Sequence, residues 1–213
     1  MTNQEVGRWH GEVLTASAEA TLRALQGASL LENFYLAGGT GLALQFGHRL
    51  SHDLDFFASE LFDEELLLQR LQTLREFSLV AKAPHTLHAT VEELRVTFLG
   101  YSYPLLFPCA TFQEVTVADP RDIACMKLST VASRGTKRDF VDLYTAAQRF
   151  GLASILQWFE RKYAQARYNR LHLLKSLTFF DDAEKDPMPH MLAPLAWGEV
   201  TRFFLQEVPR LLV

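Results

Sequence analysis

The sequence predicts an α/β (α+β) fold, with an α/β lobe over residues 1–118 and an all-helical lobe over residues 119–213. Two observations carry this prediction. Short apolar runs alternate with helical spacing up to about residue 100, whereas only helical spacing recurs after Asp119. A chain of 213 residues with 48% apolar content can bury a substantial core. We therefore expect two tightly joined lobes or a single domain.

The front lobe is expected to mix helices with strands. Residues 8–28 carry apolar side chains at three- and four-residue spacing without proline, which predicts a helix. Residues 62–76 are acidic at the start and basic towards the end, the polarity that a helix dipole favours. Runs rich in Val, Thr, Leu and Phe at 77–82 and 86–100 predict strands, with a hairpin turn at Glu92-Glu93.

The back lobe is expected to follow a proline-containing aromatic loop at residues 101–109. Asp119-Pro120 combines an N-cap carboxylate with a proline in the first turn, so it predicts the start of a helix that ends near Ser133. The remaining helices are predicted at 137–150, closed by Gly151, at 152–178 in one or two pieces, and at 195–207, with a loop at 181–189.

Residues 34–57 carry the strongest functional pattern. A short apolar strand ends at Gly38-Gly39-Thr40, and an apolar helix is predicted from Gly41 to Phe46, so its N-terminus would face a ligand on the glycines. A second apolar strand carries Asp53 and Asp55, which project to the same side. Either half alone fits an ordinary turn or a solvated carboxylate pair. Together they predict a site for Mg²⁺ and a nucleoside triphosphate.

Bulk properties limit the other possibilities. The net charge of −4 and the pI near 6.0 argue against indiscriminate coating of nucleic acid. Residues 1–100 have an acidic surplus and residues 119–175 have a basic surplus. This distribution fits a front lobe that holds a metal ion and a back lobe that binds a polyanion, or simply amphipathic helices with charged outer faces. Two cysteines without metal-ligand spacing, no signal pattern and no membrane-length apolar run predict a cytoplasmic protein that does not contact membranes.

The stretch GGTGLALQFGHRLSHDLDFF resembles the first motif of the polymerase-β-like nucleotidyltransferase superfamily, and more narrowly that of the AbiEii/AbiGii abortive-infection toxin family. The family's second motif, a helical Lys followed by Arg and Lys-x-Asp-x-x-Asp-Leu, is matched by Lys127, Arg134 and residues 137–143. The resemblance spans roughly residues 33–150. It implies a polymerase-β-like lobe with a mixed sheet, followed by a helical lobe that completes the active site.

The resemblance also implies roles for individual residues. The backbone of Gly38 and Gly39, with the Thr40 hydroxyl, would hold the β- and γ-phosphates, and Ser51 is a weaker candidate for a phosphate contact. Asp53 and Asp55 would coordinate Mg²⁺, with Mn²⁺ as the alternative. Arg49 and Lys127 would neutralise triphosphate charge. Asp139 would orient Lys127 or take the acceptor's proton, held ionised by Lys137 and Arg138, whereas Asp142 is given a structural role, in capping or surface pairing near the helix start.

One position departs from the superfamily pattern. Polymerase-β-like transferases usually carry a third carboxylate on a later strand, and the equivalent run here is Val96-Thr97-Phe98. Thr97 cannot replace a charged metal ligand. The identity of the general base is therefore open.

Two further sets of side chains are weaker candidates. His48 and His52 flank Arg49 and the aspartates, but a hydrogen-bonding role fits their spacing better than metal ligation. A basic stretch with two interleaved tyrosines could hold an RNA backbone or form a solvated helix face; it comprises Arg161, Lys162, Arg167, Arg170 and Lys175, with Tyr163 and Tyr168.

The resemblance implies a Mg²⁺-dependent transfer of NMP from NTP to an acceptor hydroxyl, with RNA, particularly a tRNA 3′ end, as the expected acceptor. The protein would be the toxin of a bacterial toxin–antitoxin or phage-defence pair, neutralised by a cognate antitoxin. The alternatives are nucleotidylation of a protein or a small molecule, and a non-catalytic module that binds a nucleotide or a partner. The missing carboxylate is the feature that favours the last of these.

Overall fold

A computed structural model describes residues 8–212 of the chain. These residues form two compact units. Unit one comprises residues 8–104 and 108–119, and unit two comprises residues 105–107 and 120–212. None of the helices within residues 8–212 is long and apolar enough to cross a membrane.

Unit one is built on a seven-stranded mixed sheet. The strands are β1 Tyr35–Leu36, β2 Asp53–Ala58, β3 Phe77–Ala83, β4 Thr86–Val91, β5 Leu94–Gly100, β6 Ala110–Phe112 and β7 Val115–Val117. Their order is β3-β4-β5-β2-β1-β7-β6. The β2–β5 and β1–β7 pairs are parallel and the other pairs are antiparallel. The predicted α+β class with a mixed sheet is confirmed.

Three helices belong to unit one: α1 Ala16–Gly27, α2 Gly38–Phe46 and α3 Glu64–Leu71, with a 3₁₀ turn at Gly11–Val13. Leucines of α1 and α3 join the alternate apolar residues of β4 and β5 in one core. The other residues of these strands, Thr97 among them, are half-buried or exposed. One face of the sheet is therefore a hydrophobic core, and the other face presents polar side chains.

Most of the predicted elements of unit one are present, with differences in their bounds. The helix predicted over residues 8–28 begins only at Ala16, after the 3₁₀ turn at Gly11–Val13, and the helix predicted over residues 62–76 ends at Leu71. The hairpin turn at Glu92-Glu93 is confirmed, and both residues have positive φ, as a tight two-residue turn requires. The helix predicted from Gly41 begins instead at Gly38, with Ala37 as its N-cap. Strands β6 and β7 were not predicted, because each has only three residues and their turn at Gln113-Glu114 contains neither glycine nor asparagine.

Unit two is helical. Its helices are α4 Pro120–Ser133, α5 Lys137–Phe150, α6 Leu152–Lys162, α7 Arg170–Ser176, α8 Asp181–Glu184 and α9 Trp197–Glu207, followed by a 3₁₀ turn at Val208–Leu211. The predicted start of α4 at Pro120 and the end of α5 before Gly151 are confirmed. The loop predicted at 181–189 is wrong at its start, because residues 181–184 form a single helical turn.

A buried ion pair organises the start of unit two. The Asp122 and Lys162 side chains are both fully buried, and Lys162 Nζ lies 2.7 Å from Asp122 Oδ1. The same carboxylate accepts hydrogen bonds from the backbone N–H groups of Leu106 and Phe107, each at 3.0 Å. Arg121 lies over the Phe107 ring, 3.7 Å from its centroid. The pair thus joins α4 to α6 and to the aromatic loop segment 105–107.

Candidate active site

The N-terminus of α2 lies directly against the carboxylate of Asp55. Gly38 has φ of +61°, a left-handed conformation that side chains rarely adopt. A Cβ at this position would overlap the Asp55 carboxylate and lie 3.1 Å from Asp55 Cβ. Glycine therefore allows the backbone at the start of the helix to approach Asp55 closely.

The next residue, Gly39, makes a second close approach. A Cβ there would overlap the guanidinium of Arg49, and the Arg49 residue is only 4% exposed. Nη1 of Arg49 donates a hydrogen bond of 2.9 Å to the Leu50 carbonyl. Arg49 therefore places its positive charge beside the first turn of α2. The free backbone N–H groups of that turn also attract anions, so both features favour an anion at this place.

Thr40 and Ser51 connect α2 to the start of β2. Oγ1 of Thr40 lies 2.7 Å from Ser51 Oγ and also within hydrogen-bond distance of the Asp53 carbonyl. The backbone N–H of Ser51 donates to the Val13 carbonyl. Thr40 is 1% exposed and Ser51 is 5% exposed. Their hydroxyls therefore fix the position of the helix relative to the strand that carries the carboxylates.

Asp53 and Asp55 lie two residues apart on β2, half-buried, on either side of the buried Leu54. Both carboxylates thus emerge from one face of the sheet, as the sequence predicts. Within residues 8–212 there is no group of three or more His, Cys, Asp or Glu side chains that could hold a metal ion. Two carboxylates suit Mg²⁺, because this ion is usually held by one or two carboxylates together with waters and substrate phosphates.

The sheet register shows what stands beside these carboxylates. Strand β5 pairs with β2 in parallel, so that Arg95 is the partner of Asp53 and Thr97 the partner of Asp55. Thr97 therefore occupies the position beside Asp55 where the superfamily pattern predicts a third carboxylate. No acidic residue lies in strand β5, since its sequence is LRVTFLG.

Lys127, in unit two, is held by two aspartates. Its Nζ lies 2.9 Å from Asp139 Oδ1 and 2.8 Å from Asp142 Oδ2. The Lys127 side chain is 9% exposed, and the two carboxylates are almost fully buried. The pairing of Asp142 is therefore not at the surface, as expected, because α5 turns this side chain into the interior towards α4; its structural role stays a prediction.

The contacts of Asp139 identify what keeps it ionised. Burial disfavours the charged form, but the Lys127 ammonium, hydrogen bonds from Lys127 and Thr136, and the Arg134 guanidinium outweigh burial and lower the pKa of the Asp139 carboxyl below its ordinary value. The expected contribution of Lys137 is wrong, since its ammonium donates to the Asp186 carbonyl at 2.6 Å. Arg138 is exposed on α5. With Lys127, Arg134 and Thr136 around it, Asp139 is arranged to orient Lys127.

The burial of individual side chains changes the interpretation of the two weaker candidate sets, the basic stretch and the pair of histidines. Lys162 and Tyr163 are 1% and 3% exposed, so they belong to the interior of unit two and cannot contact RNA. The exposed members of the basic stretch are Arg161, Arg167, Tyr168, Arg170 and Lys175, four of them cations. His48 is buried and His52 is exposed, and neither belongs to a metal-binding cluster among residues 8–212.

A comparison with protein-family models decides the family. The model described as the nucleotidyl transferase AbiEii toxin of type IV toxin–antitoxin systems matches residues 21–104 and 100–210. The chain belongs to the AbiEii nucleotidyltransferase toxin family. This AbiEii-family protein is therefore a nucleotidyltransferase, an enzyme that transfers a nucleoside monophosphate.

Relatives of the AbiEii-family protein are found in sequence and in structure. An uncharacterised protein of Aquifex aeolicus is 32% identical over 185 residues, which cover 84% of this chain and 88% of that protein. MenT4, a nucleotidyltransferase toxin of Mycobacterium tuberculosis, has a TM-score of 0.55 at 17% identity and covers 92% of this chain and 86% of its own. JHP933 of Helicobacter pylori has a TM-score of 0.52 at 16% identity, covering 95% and 92%. The two structures share the fold.

Sequence reasoning missed one polar residue on the face that carries the carboxylates. His88 of β4 is the register partner of Thr97, and its Nδ1 lies 3.2 Å from Thr97 Oγ1. The signal was present in the alternation of β4, where His88 and Thr90 flank the buried Ala89. Only the strand order shows that this alternation places His88 next to Thr97.

Proposed function

We propose that this AbiEii-family protein transfers NMP from an NTP to a hydroxyl group of RNA, with the 3′ end of tRNA as the acceptor, in a Mg²⁺-dependent reaction. The observation that carries the proposal is the contact between Gly38 and Asp55. It joins an anion-attracting helix N-terminus to a carboxylate pair that can hold a cation. A triphosphate with its metal ion requires both.

The residues around this contact would divide the work. The backbone N–H groups at Gly38 and Gly39 would bind phosphate oxygens, and Arg49 would neutralise the negative charge of those phosphates. The hydroxyls of Thr40 and Ser51 would hold α2 in position against β2. Asp53 and Asp55 would hold Mg²⁺, or Mn²⁺ in its place, and the bound ion supplies neutralisation of phosphate charge. Transfer would then depend mainly on positioning and electrostatics.

For unit two, we propose that Lys127 binds nucleotide phosphate and that Asp139 orients its ammonium. The Lys127 ammonium lies within 3 Å of two buried carboxylates, which fix its direction. Asp142 would share that structural task. The four exposed cations of the basic stretch support RNA as the acceptor, because proteins bind an RNA backbone mainly through its phosphate charge.

The biological role follows from the family. We infer that the protein is a toxin that acts in the bacterial cytoplasm, where NTP and tRNA are present, and that a separately encoded antitoxin protein neutralises it. Support comes from the family description, which names a toxin of a type IV toxin–antitoxin system. Growth arrest on expression, relieved by the neighbouring gene product, would be the expected phenotype.

The decisive experiment measures transfer of α-³²P label from each of the four NTPs, with Mg²⁺, to total cellular RNA and to protein. Asp55→Asn should lose transfer by about 10³-fold or more while keeping its fold, because it removes a charge at the proposed metal site. The matched control is Asp182→Asn, which makes the same change at an exposed surface pair with Lys185.

The location of the label decides the acceptor. Label in a tRNA-sized band that disappears in Asp55→Asn would support both the site and the acceptor. Label in protein would replace RNA by a protein hydroxyl as the acceptor. Full transfer by Asp55→Asn would show that the reaction occurs elsewhere in the chain.

A further inference from the structure

Three neighbouring strands place three polar side chains at one level of the sheet. Asp55 on β2 is the register partner of Thr97 on β5, and Thr97 is the register partner of His88 on β4. All three residues are half-buried, whereas the residues on either side of them, such as Leu54, Val96 and Ala89, are buried. Since alternate residues of a strand share a face, the three side chains lie on the face that carries the carboxylates.

Thr97 and His88 are joined by a hydrogen bond. Oγ1 of Thr97 and Nδ1 of His88 are 3.2 Å apart. With His88 in the tautomer that carries its proton on Nε2, the Thr97 hydroxyl donates to Nδ1, and Thr97 Oγ1 keeps lone pairs for another donor. A threonine alone is a very poor base, but a hydroxyl hydrogen-bonded to an imidazole can pass a proton on.

We propose that Thr97 and His88 form a proton relay that replaces the missing third carboxylate in nucleotidyl transfer. This inference rests on the reaction site proposed at Asp53 and Asp55. The acceptor hydroxyl gives its proton to Thr97 Oγ1 while the Thr97 proton moves to His88 Nδ1. The acceptor oxygen forms its bond to the α-phosphorus, the bond from that phosphorus to the bridging oxygen breaks, and pyrophosphate leaves. His88 then returns the proton to solvent through Thr97.

Charged groups lie near His88 on several elements of unit one. On its own sheet face the charged groups are Asp55 and Asp53 on β2 and Arg95 on β5. On β3 its register partner is Ala81, which is not titratable. Helix α3 packs on the core side of β4, where Glu64 and Glu65 contact His85 and Lys82.

The test substitutes His88 by asparagine. The Asn side-chain oxygen can still accept a hydrogen bond from Thr97, but it does not take up a proton at any ordinary pH. The matched control is His85→Asn, which changes another histidine of the same hairpin that contacts the Phe62 carbonyl instead of Thr97. Single-turnover transfer of α-³²P label to total cellular RNA and protein is measured from about pH 5 to pH 9.

The wild-type chain and His85→Asn should both slow down towards acid pH. His88→Asn should be slower by about 10²-fold at the alkaline plateau and should lack this acid limb, because no imidazole titrates in the relay. Adding Thr97→Asp to His88→Asn should restore transfer, since it puts a carboxylate at the level of Asp55. If His88 had a purely structural role, His88→Asn would keep the acid limb, and adding Thr97→Asp would not restore transfer.

The failures of the two proposals can be told apart. If His88→Asn keeps the rate and acid limb of the wild type while Asp55→Asn is inactive, the relay is wrong and the reaction site stands. If His88→Asn is slow and adding Thr97→Asp does not restore transfer, the relay is also wrong, because a carboxylate at position 97 should take over the task of the relay. If Asp55→Asn retains full transfer, both the site and the relay are wrong.

Discussion

Single residues set the closest contact of the proposed site. Gly38 has both a positive φ and a carboxylate in the space where a Cβ would lie, so two independent physical reasons require glycine there. Gly198, in contrast, lies within α9 and has no atom within 4 Å of its hypothetical Cβ. The two glycines thus offer a comparison in which the same substitution has opposite expected effects.

Gly38→Ala is expected to lower the free energy of unfolding by about 1–2 kcal/mol from the backbone conformation alone. It should also reduce transfer by about 10²-fold, because Asp55 must move away from the start of α2. Gly198→Ala should raise the free energy of unfolding by about 0.5–1 kcal/mol, since alanine is favoured over glycine in a helix. Urea denaturation and the labelling assay measure both effects. Equal behaviour of the two variants would show that Gly38 is not constrained.

At the scale of elements, the buried Asp122–Lys162 pair joins α4, α6 and the loop segment 105–107. The pair also affects its neighbours. Cys125, one turn along α4, is buried beside Asp122, and burial together with that carboxylate raises the pKa of its thiol to about 12. Cys125 is therefore a packing residue with no thiolate at neutral pH.

Lys162→Met is expected to destabilise unit two by about 3–5 kcal/mol, because it leaves the Asp122 carboxylate buried without a cation. Urea denaturation, followed by circular dichroism of the helices, measures the loss. Adding Asp122→Leu should restore only part of it, since the N–H groups of Leu106 and Phe107 then lose their acceptor. Lys185→Met, at an exposed pair with Asp182, should leave the midpoint unchanged. A wild-type midpoint for Lys162→Met would contradict a stabilising role for the pair.

At the scale of the whole molecule, charge is distributed unevenly along the chain. The acidic surplus lies in residues 1–100, whereas the exposed cations Arg161, Arg167, Arg170 and Lys175 lie in unit two. Arg170 also contacts Glu160, at 3.1 Å from Nε to Oε1, so part of its charge is neutralised locally. Arg161, Arg167 and Lys175 are therefore better candidates than Arg170 for the proposed contact with an RNA backbone, and the first two are changed together in the following test.

RNA binding should weaken with rising salt, and the double variant Arg161→Gln/Arg167→Gln should have a shallower dependence. Each lost phosphate contact of a single strand reduces the slope of log K against log salt by about 0.7, so the two changes should reduce it by about 1.4. Filter binding of total tRNA at several salt concentrations gives the slope. Arg23→Gln, an exposed change in unit one, should leave it unaltered. An unaltered slope in the double variant would remove this surface from RNA binding.

The sequence by itself determined the α+β class, the hairpin at Glu92-Glu93, most of the helices and the carboxylate pair of β2. These features depend on local signals, namely periodicity, turn and cap residues, and the alternation of a strand, which any stretch of chain carries by itself. The family, too, was visible in two short motifs, and the match to the AbiEii model confirms it.

Only the tertiary structure decided which distant residues meet. The register of β2, β5 and β4 set Asp55, Thr97 and His88 side by side, and helix packing turned Asp142 towards Lys127 and Lys162 towards Asp122. The short strands β6 and β7 are also defined by their partners. The physical reason is the same in each case: strand pairing and the burial of charge are satisfied between segments far apart in the chain, so no local pattern records them.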